Sequence, residues 1–431
     1  MNKKLAQELI DFIQESPTAF HGTNEIKKIL STFGYVELQE GEKWNIQENG
    51  KYFLTKNNSA LIAFEIGNGK IEEKGFRIIG AHTDSPGFKI KPKCQINVEN
   101  HYIKLNTEVY GGPILSTWFD RPLSIAGRVL LKGKSILHPR ERLINIKKPL
   151  LVIPNLAIHM NRSVNEGYSI NKQKDTLPLM GYINEKLEED NLLINIISEE
   201  LKVQKDEILD FDLFLYEYEK GTILGLNDEF ISASRLDDLW MVHAGYKALI
   251  ESIENQSTKV LICIDNEEIG SLTSQGAHSS FIKNILERIC LSMGKNKEEF
   301  YRALSNSAMI SADLAHALHP NVVEKHDPTN RPVLGKGPVI KIAASGSYST
   351  DGYSAAIFKG LCENAKIPYQ VFVNRSDVRG GTTIGPMMSS DLSIPVIDMG
   401  APLIGMHSIR ELGSVCDNKY TIDLFREFYN N

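Results

Sequence analysis

The sequence predicts an α/β protein, a central mixed β-sheet flanked by helices, with a mainly-β segment inserted into it. Three observations carry this. The β-branched, apolar runs at 76–82 and 260–264 read as strands buried on both faces, and each breaks abruptly into polar residues at its carboxyl end. In both flanks such runs alternate with stretches whose apolar residues recur at helical spacing. From about Lys91 to Leu226 the pattern becomes alternating and Gly/Pro-punctuated instead. The expected division is a discontinuous α/β domain, residues 1–90 and 226–431, with 91–225 as the insert.

Taken in order, Leu5, Leu9, Phe12 and Ile13 mark a first helix closed by Pro17, and a second helix lies around 24–33. Strands follow at 52–54, 60–65 and 76–82. The insert carries strand patterns at 95–98, 102–105, 124–131 and 150–153, a turn at Tyr110-Gly-Gly-Pro113, and an acidic helical stretch at 184–200. Ser234-Arg-Leu-Asp237-Asp238 opens a helix with apolar positions Leu239, Val242, Tyr246 and Leu249. Asp237 then falls in the first turn, where the helix dipole favours negative charge. The strand at 260–264, a long helix at about 279–293, strands at 308–313, 338–342, 371–373 and 394–399, and a closing helix at 421–429 complete the chain.

Composition narrows the function. A chain of 431 residues with 42% apolar and 24% charged residues is ordinary for a globular protein. A formal net charge of −6 argues against a nucleic-acid or anionic-membrane binder. The start has no signal-peptide core, and no apolar run is long enough to span a bilayer. Five scattered cysteines without a CxxC pair fit reduced thiols, so the expected location is cytoplasmic.

The chemistry concentrates at the carboxyl ends of the buried strands, where open α/β sheets hold their ligands. Asp265, Glu267 and Glu268 directly follow the strand at 260–264, and three carboxylates there are costly unless a cation neutralises them. A solvated acidic turn is the plain alternative. His82, Asp237, Glu268, Asp313 and His407 each fall just after an apolar strand or at a helix start. Two imidazoles and three carboxylates suit Zn²⁺, Mn²⁺ or Co²⁺ rather than copper or an iron–sulfur cluster. Two divalent ions would leave that set with one positive charge, and a single ion would leave it negative. Asp84, two residues after His82, projects to the same side of an extended segment and can orient a metal-bound imidazole.

With these residues assembled, the sequence closely resembles the aspartyl aminopeptidases of the M18 metallopeptidase family. The segments that carry the resemblance are Gly80-Ala-His-Thr-Asp-Ser-Pro-Gly87, Ile153-Pro-Asn-Leu-Ala-Ile-His159, Ser234-Arg-Leu-Asp237 and Asp265-Asn-Glu-Glu-Ile-Gly-Ser271. They continue with Ser311-Ala-Asp-Leu-Ala-His-Ala317, His319-Pro-Asn321, Gly337-Pro-Val-Ile-Lys341, Gly381-Thr-Thr-Ile-Gly-Pro386 and Met406-His-Ser-Ile-Arg-Glu411, in family order. The resemblance implies two zinc-like ions bridged by Asp237, Glu268 and His407 on one and His82 and Asp313 on the other. It implies Glu267 as general base, with Tyr348 and His159 as donors to the substrate carbonyl. His159 would reach the active site of a neighbouring subunit, in a homododecamer built from dimers through the insert.

Peptides with a free N-terminus are the implied substrates, preferably with Asp or Glu first. An acidic side chain needs a buried cation. Lys341 is the first candidate, ahead of Arg379, His316 and His319, against the plain reading of a solvent-exposed edge-strand lysine. Two departures stand out. Asp238 follows the bridging Asp where many members carry Asn, and Arg379-Gly380 precede Gly381 where many carry Cys. The competing readings are an M42- or M28-type aminopeptidase and a non-catalytic scaffold lacking a ligand or base. No GxSxG elbow and no Gly-rich GK[ST] loop supports serine-hydrolase or ATP chemistry.

Overall fold

The computed structural model describes residues 2–183, 192–253, 256–378 and 380–431. The chain forms two compact bodies, one from residues 1–84, 221–406 and 411–431, the other from 85–220 and 407–410.

The larger body is built on a nine-stranded mixed sheet. Its strands run in the order Val36–Glu37, Lys51–Lys56, Ala60–Glu65, Thr258–Ile264, Phe76–His82, Ala308–Ala312, Val396–Gly400, Val339–Ile342 and Gln370–Val373. The middle of that order is parallel, from Thr258–Ile264 through Phe76–His82 and Ala308–Ala312 to Val396–Gly400. Parallel strands must be covered on both faces. Every residue of Thr258–Ile264 is accordingly buried.

Alternate residues of the same strands enter two cores. Leu261, Cys263, Ile79, Ala81 and Ile310 pack with the helices Asn2–Glu15, Leu236–Glu251 and Val415–Asn430. Val260, Ile262, Ile78 and Met309 pack with Phe281–Ser292, Lys297–Ser305 and Ile384–Leu392. Since strand side chains alternate with period two, these are the two faces of one sheet.

Register decides what meets at the carboxyl edge. Ile264 pairs with His82, and Ser311 pairs with Gly80, so Asp313 emerges level with His82. The acidic cluster after Ile264, the His82–Asp84 segment and Asp313 therefore leave the sheet side by side.

The smaller body is a six-stranded antiparallel sheet, in the order His138–Asn145, Leu123–Ser135, Ile208–Glu217, Gly87–Val98, Tyr102–Tyr110 and Leu179–Tyr182. Phe88, Trp118, Ile125 and Leu213 centre its core, with Phe88 and Trp118 in edge-to-face contact at 5.0 Å. The helix Leu192–Leu201 packs on it through Leu193 and Ile197.

Several expectations need correction. The run at 150–153 is not a strand and makes only isolated bridges, Leu151 to Leu123, Val152 to Leu179 and Ile153 to Phe119, so the tertiary fold leaves it no continuous partner. Helices Lys297–Ser305, Gly352–Ala365 and Ile384–Leu392 were not anticipated, and the last helix begins at Val415, well before 421. Asp237 does not sit in regular helix. It and Asp238 have non-helical dihedrals and are joined by a cis peptide. Residues 184–191 of the expected acidic helix lie outside the described residues.

Candidate metal centre

The elements just described bring four of the five proposed ligands into the larger body. His82 ends its strand, Asp313 follows Ala308–Ala312, Glu268 lies in the short 3-10 turn Glu267–Ile269, and Asp237 lies at the distorted start of Leu236–Glu251. Ligand atoms of His82, Asp237, Asp238 and Asp313 all fall within 4.8 Å of one another, as do those of His82, Glu267 and Glu268. His407 belongs to the smaller body, at φ +67°, with Nδ1 3.1 Å from the Gly112 carbonyl.

The surroundings of these side chains are polar and directional. His82 Nδ1 lies 3.0 Å from the Asp84 carbonyl oxygen and 3.4 Å from Asp84 Oδ1, while Nε2 lies 3.5 Å from Asp237 Oδ1. A proton on Nδ1 held by Asp84 leaves the Nε2 lone pair directed toward Asp237, the tautomer a metal-ligating imidazole needs. The Asp84 carboxylate also accepts the backbone N–H of Glu267 at 3.1 Å and of Glu268 at 3.2 Å. One buried residue thus orients the imidazole and the turn carrying both glutamates.

Asp238 is fully buried, and its Oδ2 accepts the His82 backbone N–H at 3.1 Å. Its Oδ1 meets no hydrogen-bond donor among the described residues. Glu411 Oε2 accepts the backbone N–H of Asp237 at 3.0 Å. Neither role was assigned from sequence. An acceptor that serves a backbone amide far along the chain leaves no local spacing signal.

Ionisation follows from this crowding. Burial raises the Asp238 carboxyl well above the usual range, opposed by His82 and reinforced by Asp313 and Asp237. Burial likewise pushes Glu267 up to about 8, against His82, with Asp313, Glu268 and Asp84 adding repulsion. Asp313 is raised by burial against the nearby Lys341. Burial pulls the His82 imidazole down, but the Asp238, Asp237 and Asp84 carboxylates outweigh it and hold its pKa well above the ordinary value. The protein part of the site therefore carries more buried negative charge than it can hold ionised. An oxygen-and-imidazole set with that excess suits divalent cations of the zinc class.

Lys341 departs from the plain edge-strand reading. Its strand lies between Val396–Gly400 and Gln370–Val373, and the side chain is buried. Nζ donates to the Leu314 carbonyl at 3.2 Å, lies 3.4 Å from Asp313 Oδ2 and sits 5.3 Å from the centroid of the Tyr348 ring. Tyr348 is buried and packs edge-on against Phe372, which contacts His316 in turn. His316 and His319 line a cleft of about 310 Å³ with Lys325, His326, Phe372 and Arg375. Arg379 lies outside the described residues. His159 is exposed in the smaller body, away from secondary structure. Asp265 is buried and caps its own turn, its Oδ1 accepting the Asn266 backbone N–H at 2.7 Å.

Comparison with known proteins agrees with the geometry. The family model for aminopeptidase I zinc metalloproteases (M18) matches residues 12–429. A probable M18 family aminopeptidase 2 of Clostridium novyi is 58% identical over 427 residues, covering 99% of each chain. Among solved structures, a chain of the Ape4 and Nbr1 complex superposes with a TM-score of 0.96 at 36% identity, covering 99% of this chain and 86% of that one. The Saccharomyces cerevisiae mApe1 dodecamer gives a TM-score of 0.86 at 28% identity, covering 98% and 96%. This chain belongs to the M18 family of zinc aminopeptidases, which are metallo-hydrolases.

Proposed function

We propose that the protein removes N-terminal residues, preferentially Asp and Glu, from peptides with a free amino terminus, using two divalent ions held as a bridged pair. The observation that carries this reading is the convergence of His82, Asp237, Glu267, Glu268 and Asp313 at one carboxyl edge of the sheet. Asp237 would be shared by the two ions, with Glu268 and His407 holding one and His82 and Asp313 holding the other. Zn²⁺ is the first choice, with Mn²⁺ or Co²⁺ as alternatives. When bound, such ions acidify water and polarise a carbonyl.

The chain's own groups do the rest. Glu267 accepts the proton of the attacking water and returns it to the departing amine. Burial pushes its carboxyl up to about 8, and divalent cations held by the neighbouring ligands would lower it. Tyr348 donates to the carbonyl oxygen, joined by His159 from a neighbouring subunit. Lys341 supplies the cation for an acidic first side chain. Residues 91–225 form the dimerisation insert of a homododecamer, the assembly named for the mApe1 structure. All five cysteines are free, which supports a cytoplasmic setting.

The test is hydrolysis of Asp, Glu, Leu and Lys aminoacyl amides by metal-stripped protein with Zn²⁺, Mn²⁺ or Co²⁺ restored. Asp and Glu amides should turn over fastest. Turnover of Leu or Lys above both would remove the acidic preference, and inactivity with every ion would favour a scaffold role.

A further inference from the structure

We propose that Asp398 is the positioning residue that presents Tyr348 to the substrate, by clamping two separate loops onto one buried carboxylate. The proposal rests on the reading of Tyr348 as a carbonyl donor. Asp398 lies within the strand Val396–Gly400, paired with Ser311 two residues before Asp313, and its exposure is 0%.

Each oxygen of this carboxylate serves a different loop. Oδ2 accepts the backbone N–H of Ser349, the residue directly after Tyr348. Oδ1 accepts the hydroxyl of Thr383 at 2.6 Å. Thr383 precedes the helix Ile384–Leu392, whose N-terminal dipole favours a negative charge at that point. The backbone closes in as well, since a Cβ added to Gly385 would lie 2.3 Å from Asp398 Oδ2. On the first loop, Thr350 Oγ1 accepts the Asp398 backbone N–H at 2.9 Å. The two loops are also tied directly, by Thr382 Oγ1 donating to the Ser347 carbonyl at 3.1 Å.

A carboxylate buried this completely is costly unless it is hydrogen-bonded, and its hydrogen bonds go to the segments that flank Tyr348 and open the helix at Ile384. Among the described residues the Tyr348 backbone has no comparable tether. Its ring packs against Phe372 and beneath Lys341 Nζ, contacts that fix its side but not its reach. The reach is set by the Ser349 amide, one residue away.

The test is a double-mutant cycle of Asp398→Ala and Tyr348→Phe, with hydrogen exchange on the same proteins. Asp398→Ala should lower kcat on a cleaved aminoacyl amide by up to about a hundredfold, since it misplaces a carbonyl donor whose outright loss costs about 10²- to 10³-fold, with KM moving far less. The double variant should be no slower than the slower single one, within about threefold. Asp398→Asn should recover most of the rate, since an amide can accept from Ser349 and donate to Thr383 Oγ1. Thr383→Val, a milder change, should fall between wild type and Asp398→Ala. Exchange at 345–350 and 380–385 should rise together in Asp398→Ala. Additive losses in the cycle, or exchange that rises in one loop without the other, would overturn the proposal. Exchange is read without turnover, so it decides the clamp even if no peptide is cleaved and the Tyr348 reading fails.

Discussion

Lys341 Nζ lies 3.4 Å from Asp313 Oδ2, with the two side chains only 3% and 14% exposed. The pair places an ammonium beside a carboxylate proposed to bind metal. The cation proposed to read an acidic substrate side chain is therefore also part of the charge balance of the centre. Breaking a buried pair leaves the partner uncompensated, and this costs more than the pair itself contributes.

Lys341→Met should accordingly destabilise the metal-free protein by about 3 kcal/mol in urea unfolding. In the metal-loaded enzyme the same variant should lose rate on Asp amide far more than on Leu amide. Equal loss on both would assign Lys341 to the centre alone.

Glu267→Gln should retain its metal, measured as ions per chain by elemental analysis, and lose about 10²- to 10⁴-fold in kcat. A rate near wild type would move the base elsewhere.

Asp84→Ala orphans the Glu267 and Glu268 amides and frees the His82 ring from its 3.4 Å carboxylate contact. Zn²⁺ affinity, read by chelator competition, should fall about 10- to 100-fold. Unchanged affinity would mean that the Asp84 main-chain carbonyl alone orients the imidazole.

His243 supplies a pH dependence independent of the metal centre. It is fully buried between Phe12 and Tyr246, and neither ring nitrogen has a hydrogen-bond partner among the described residues. Burial, helped by Lys247, pulls its pKa down to about 3. Between that value and the ordinary 6.5 the unfolded chain binds more protons than the native one, so stability rises with pH and is lost as pH falls through this window. His243→Leu should flatten that limb of the urea midpoint against pH. A limb as steep as wild type would show that another group governs it.

Much of this was legible in the chain itself. Buried β-branched runs ending in His82-Thr-Asp84 and Asp265-Asn-Glu-Glu268 marked both the parallel strands and the edge where a cation is needed, because local patterning and burial cost are properties of short segments. Helices Gly352–Ala365 and Ile384–Leu392 escaped notice because glycines, serines and a proline blur their apolar spacing.

What the tertiary structure alone decided is which distant groups share one volume. Register sets Asp313 level with His82, and it turns Lys341 from an apparent edge residue into the buried partner of Asp313. Glu411 behind Asp237, and Asp398 between two loops, become visible only there. The physical reason is that hydrogen bonds and ion pairs between segments tens or hundreds of residues apart depend on strand order and register, which no local spacing encodes.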